Sequence, residues 1–102
     1  MFRKTTSLAL AGFVSLALTG IAGAVDIHTQ SISSTCMSCH GPGGKSLGAI
    51  PSIAGLERDY FVKAMKDFKS GARASSIMKR HASGYTDAEF EAMAAYFAGL
   101  KK

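Results

Sequence analysis

Apolar side chains return every three or four positions through the middle of the chain. Leu56, Tyr60, Phe61, Ala64, Met65 and Phe68 share one face of a predicted helix, with Arg58, Lys63, Lys66 and Asp67 around the other. Gly71 supplies its stop. A second periodic stretch, Phe90, Met93, Ala94, Phe97 and Leu100, predicts a C-terminal helix. Its start is well marked. Thr86 is an N-cap residue with Glu89 three positions on, which makes a capping box, and Tyr85 stands where it can staple onto Phe90. Asp87 suits the positive end of the helix dipole, and Lys101 and Lys102 suit the negative end.

Towards the N-terminus the pattern weakens. A helix over Thr29–Met37 is predicted with Ile27 and Ile32 turned inward, although Ser31, Ser33, Ser34 and Thr35 are poor helix formers. His28 is expected at the surface, ahead of that helix. Gly41-Pro42-Gly43-Gly44 ends the helix, and a loop follows through Gly48 and Pro51 to Gly55. Between Ala72 and Gly84, Ile77 and Met78 predict a short helical turn. Nothing alternates with the period of a strand and no segment repeats, so the fold class is all-α.

The first residues have a different character. Arg3 and Lys4 precede an apolar run from Leu8 to Ile21 and a small-residue end, Ala22-Gly23-Ala24. That is the pattern of a secretory signal peptide. Cleavage is expected after Ala24, leaving residues 25–102 as one domain in the periplasm with no permanent membrane span. The apolar run is short beside the roughly 20 residues of a membrane-spanning helix. The formal net charge of +5 falls to +3 without Arg3 and Lys4. So mild a charge suits an acidic partner or surface and gives no case for nucleic acid. About 78 residues without a single Trp make a small core, and chains of this size usually need a staple or a cofactor.

Cys36-Met37-Ser38-Cys39-His40 supplies one. C-x-x-C-H is the signature of covalent haem attachment, in which each thiol adds across a vinyl group and the adjacent histidine meets the iron. Haem c is therefore the expected cofactor, with Cys36 and Cys39 as thioethers and His40 as axial ligand. Three other readings of the cysteines fit less well. A thioredoxin-like dithiol expects a βαβ context, and structural zinc expects four ligands with paired spacing, which His28 and His81 do not provide. A plain disulfide leaves His40 unused. Gly44-Lys45-Ser46 resembles the end of a P-loop but lacks the earlier glycine and the preceding strand.

A methionine opposite a histidine marks electron-transfer haems. Met37 lies inside the attachment motif, and Met65 and Met93 fall on apolar helix faces. Met78, between helices and far along the chain from His40, is the expected second ligand. His81 is its competitor.

These elements together resemble the class I single-haem cytochromes c: Cys36 to Gly41, then Ile50-Pro51-Ser52-Ile53-Ala54-Gly55-Leu56, then Met78, then an aromatic C-terminal helix. The resemblance implies terminal helices that cross around the haem. It also implies that the Pro51 carbonyl accepts a hydrogen bond from the His40 ring. Tyr60, Phe68, Gly71-Ala72-Arg73, Ile77-Met78 and Gly84-Tyr85-Thr86-Asp87 are similar to the cytochrome subunit of flavocytochrome c sulfide dehydrogenase and to cytochromes of the c4 and c553 kind. That likeness makes Tyr60 and Arg73 candidates to contact the haem propionates. Many of those proteins carry two haem domains, whereas this chain has one C-x-x-C-H.

The expected function is one-electron carriage rather than enzymatic turnover. The partners would be redox proteins, a sulfide-oxidising flavoprotein among them, with Lys45, Lys79 and Lys101 available to steer an acidic surface. The alternative is a haem enzyme or gas sensor with an open iron position.

Overall fold

The computed structural model describes residues 26–102; the predicted signal segment, residues 1–24, lies outside them. Four helices and one 3-10 turn make up the ordered elements: α1 (Ile27–His40), the turn Pro42–Gly44, α2 (Arg58–Ser70), α3 (Ser76–Ala82) and α4 (Asp87–Ala98). No strand occurs among the described residues. None of their helices is long and apolar enough to cross a membrane.

The α1 helix is longer than its composition predicts. It begins two residues earlier, because Asp26 caps it. One carboxylate oxygen accepts from the Thr29 N–H and the other from the Thr29 hydroxyl, each at 2.8 Å. It also runs on through the cysteines to His40. The hydroxyls that usually disrupt helices are absorbed locally: Ser34 donates to the Ser31 carbonyl and Thr35 to that of Ile32, both at 2.7 Å. Two expectations are corrected. His28 lies inside the first turn of α1, not before it. Ile27 points to solvent at 81 % exposure, because the stripe that turns inward is built from Thr29 and Ser33.

That stripe packs on α4. Ser33 is fully buried there, and its hydroxyl has no hydrogen-bond partner. An unpaired buried hydroxyl costs about 1–3 kcal/mol, and alanine is the better helix former. We therefore expect Ser33→Ala to raise stability by about 1 kcal/mol, read as a higher denaturant midpoint. A lower midpoint would mean that the hydroxyl has a partner after all.

The α2 helix is capped by Glu57, whose carboxylate accepts from the Asp59 and Tyr60 N–H groups. It ends at Gly71, which takes the left-handed conformation (φ 88°) and donates to Asp67 and Phe68. Its buried face is Phe61, Val62 and Met65. This is rotated from the predicted stripe: Tyr60 is 51 % exposed and Leu56 precedes the helix. The α4 helix starts as predicted, with the reciprocal Thr86–Glu89 capping box in place. Phe90, Met93, Ala94 and Phe97 are fully buried. Tyr85 and Leu100 are half-buried against the same cluster.

Phe97 is the hinge of the packing. Its ring stacks on Phe61 of α2 at 5.6 Å between centroids and meets Tyr96 edge-on at 5.2 Å. Its carbonyl accepts from the Gly55 N–H at 2.8 Å. The α1 and α4 starts are also tied, by His28 Nε2 and Glu89 at 2.7 Å.

Asp26 and Glu89 both have carboxyls held below their ordinary pKa. For Asp26 the chief cause is the Thr29 N–H, followed by the Thr29 hydroxyl. For Glu89 it is the Thr86 N–H, followed by His28. Depressed carboxylates stabilise the fold above the unfolded value of about 4 and lose that contribution as pH falls through the folded value. Denaturant midpoints should therefore drop as pH is lowered below about 5, and Glu89→Gln should flatten the slope. An unchanged slope in that variant would remove Glu89 from the account.

Candidate functional site

The last turn of α1 carries Cys36, Cys39 and His40. Both thiols are unbridged; Cys36 is half-buried against the core and Cys39 is exposed. Three residues apart on a helix, they lie on one side of it. Burial pushes the Cys36 thiol up, the reverse of what a dithiol-exchange site requires.

The chain then reverses at Gly41. Its φ of 94° admits no ordinary side chain, and a β-carbon there would lie 1.7 Å from the Lys45 carbonyl oxygen. The Gly44 carbonyl accepts from the N–H groups of Ile53 and Ala54 at 2.8 and 3.0 Å. Ser52 Oγ accepts from the Ser46 N–H at 2.8 Å. These bonds fold the loop back onto α1 and bring Pro51 to His40, with His40 Nδ1 2.6 Å from the Pro51 carbonyl oxygen. A carbonyl can only accept, so Nδ1 donates. In the neutral ring the lone pair is then on Nε2, and the bond fixes the ring's direction.

The other predicted site residues fall as follows. Met78 lies on α3, half-buried against the core, with its N–H donating to Ser75 Oγ at 3.2 Å. Tyr60 sits in the first turn of α2, about half exposed. The Arg73 guanidinium stands 4.7 Å from the Phe68 ring centroid. Met65 and Met93 are buried core residues and His81 is exposed. No group of three or more histidine, cysteine or acidic side chains among the described residues is arranged to hold a metal ion.

Large apolar side chains remain uncovered by protein: Leu47 (87 % exposed), Ile50 (45 %), Tyr60 (51 %) and Ile77 (58 %). Sequence reasoning did not single out Leu47 or Ile50 as site residues. The available signal was two bulky apolar residues among the small ones of residues 46–52. Two unbridged thiols, one oriented imidazole and this uncovered apolar surface fit a flat, apolar macrocycle that bonds through sulfur and nitrogen.

Known proteins agree with that chemistry. The family model for cytochrome c matches residues 29–101. The chain is 45 % identical to the cytochrome subunit of sulfide dehydrogenase from Chlorobaculum tepidum, over 72 % of this chain and 66 % of the relative. It is 36 % identical to the thiosulfate dehydrogenase electron acceptor of Stutzerimonas stutzeri, over 90 % of this chain and 47 % of that protein. Among solved structures, cytochrome c4 of Acidithiobacillus ferrooxidans matches with a TM-score of 0.65 and 25 % identity, over 78 % of this chain and 53 % of the other. The chain thus spans from about half to just under two thirds of the length of these proteins.

Proposed function

The chain belongs to the cytochrome c family, and from that premise we propose that it is a periplasmic one-electron carrier with His40 and Met78 as axial ligands. The fold is that of a class I cytochrome c, and the cofactor is covalent haem c. Haem c supplies the redox chemistry, its iron moving between the ferric and ferrous states.

The rest is the work of this chain's residues. Cys36 and Cys39 hold the group covalently, so it cannot leave between partners. The bond to Pro51 orients His40 and raises its basicity. Met78, on α3, would supply the second axial ligand, and sulfur ligation would hold the potential high. Tyr60 and Arg73 border the propionates in this reading. Residues 1–24 serve as the cleaved signal, so the exported protein begins at Val25.

The observation that carries the reading is the His40 ring tied to Pro51 beside two unbridged thiols. A physiological partner is suggested by the 45 % identity to a sulfide dehydrogenase cytochrome subunit: a flavoprotein that oxidises sulfide and delivers single electrons.

The test is an absorption spectrum of protein matured in a host that attaches haem c, ferric and ferrous, with and without carbon monoxide. The expected result is a low-spin haem that stays on the chain through denaturation, shows the ferric sulfur-to-iron band and does not bind carbon monoxide. Carbon monoxide binding without that band would replace the carrier with a haem enzyme or gas sensor.

A further inference from the structure

The bond between His40 and Pro51 is only as firm as the peptide that offers the carbonyl. Pro51 is exposed and lies in the loop between the 3-10 turn and α2, where no regular element fixes its direction. The Pro51 carbonyl and the Ser52 N–H belong to one peptide unit, whose atoms are coplanar and turn together. Whatever fixes Ser52 therefore fixes how the Pro51 oxygen faces His40.

Three hydrogen bonds hold the residues that follow Pro51. Two are backbone bonds, from the Ile53 and Ala54 N–H groups to the Gly44 carbonyl at 2.8 and 3.0 Å, and they do not depend on side chains. The third does. Ser52 Oγ accepts from the Ser46 N–H at 2.8 Å. Along the chain it is the bond closest to the Pro51–Ser52 peptide plane. It ties that plane to a segment packed beside His40: a β-carbon on Gly41, the residue after His40, would stand 3.1 Å from the Ser46 Cα. On the other side of Pro51 the hydrogen bonds are those between Gly48 and Ser46 Oγ, which stay inside the bend. Leu47 and Ile50 there are exposed.

We propose that Ser52 is a positioning residue for the axial histidine: its hydroxyl oxygen sets the aim of the Pro51 carbonyl at His40 Nδ1, and through that bond it trims the reduction potential. The proposal rests on His40 being a ligand of the haem iron. A carbonyl that accepts from Nδ1 makes the imidazole more basic and a stronger donor at Nε2. A stronger donor favours the ferric state, so the bond lowers the potential, and loosening it raises the potential. Damage to the loop acts in the opposite direction. Water admitted to the haem favours the ferric form, which carries one more positive charge, and lowers the potential. The sign of the shift thus tells aim from damage.

The experiment uses haem-loaded protein. Ser52→Ala removes the acceptor, and Ser52→Thr keeps it. Ser46→Ala removes a hydroxyl from the same loop but keeps the N–H that Ser52 accepts. Each protein is poised against the same reference dye couple. Ser52→Ala should hold about threefold more ferrous relative to ferric haem than wild type, a potential about 28 mV higher at roughly 59 mV per tenfold for one electron. By NMR of the ferrous protein, its His40 Nδ1 proton should exchange with solvent about fivefold faster. Ser52→Thr and Ser46→Ala should both match wild type. A potential that stays or falls in Ser52→Ala overturns the proposal, as does an equal rise in Ser52→Thr or Ser46→Ala. Carbon monoxide binding to the wild type reports on the opposite side of the iron, so the two readings fail separately. Binding of carbon monoxide, with both Ser52→Ala effects present, sinks the His40/Met78 carrier and leaves the positioning role. Exclusion of carbon monoxide, with neither effect present, sinks the positioning role alone.

Discussion

A chain with Cys36→Ala and Cys39→Ala retains no haem through denaturation and shows no cooperative, helix-rich unfolding transition. Part of this follows from chemistry: without the thiols no thioether forms, and haem held only by axial ligands is lost when the fold is. The rest follows from size. The fully buried large side chains are Phe90, Phe97, Met93 and Ser33, and one of these is polar. A domain of this length buries only about 60 % of the surface that its unfolded chain exposes. Leu47, Ile50, Tyr60 and Ile77 meanwhile leave apolar surface uncovered, each forgoing part of the roughly 1.5–3 kcal/mol that full burial of such a side chain gives. Against a net stability of about 5–15 kcal/mol, the loss of a large covalent apolar group is decisive. Circular dichroism against denaturant measures it. A sharp helical transition in the double variant would show that protein packing alone sustains the fold.

Met78→Ala is the second large effect. The expected outcome is loss of the sulfur-to-iron band, carbon monoxide binding in the ferrous state and a potential lower by on the order of 0.2 V, within the roughly 0.8 V over which axial ligands tune haems. The helical fold should persist, because Met78 is only half-buried and its α3 cap uses the backbone N–H. His81→Ala is the companion measurement. His81 is exposed, and its removal should leave the spectrum unaltered. If His81→Ala, rather than Met78→Ala, opens the iron, the ligand assignment reverses.

The sequence reveals most where side-chain chemistry is local. The start of α4 was legible in full, because the Thr86–Glu89 box is written within four residues. The attachment motif was legible for the same reason. The α1 helix was read too short because its buried stripe is Thr29 and Ser33; hydrophobic periodicity cannot detect a packing face made of hydroxyls. The α2 face was read some way off its true direction. The uncovered Tyr60 counted as core and the buried Val62 did not. A side chain awaiting a cofactor and one facing protein look alike in a hydrophobicity pattern. The contact between His40 and Pro51 spans eleven residues of glycine-rich loop, and no local rule reaches across it. It came from resemblance to a family.

The tie between His28 and Glu89 joins residues 61 positions apart. Most helical domains assemble through neighbours in the chain and fold quickly, whereas closing so long a loop costs entropy before any contact rewards it. The union of α1 with α4 should therefore be among the last events of assembly. It is also the event that helps to shelter Cys36. Order in time thus follows from order along the chain: the thiols are most reachable while the C-terminal helix is still undocked. Pulse-labelling hydrogen exchange during refolding of the haem-loaded protein would see the amides of α1 and α4 protected late.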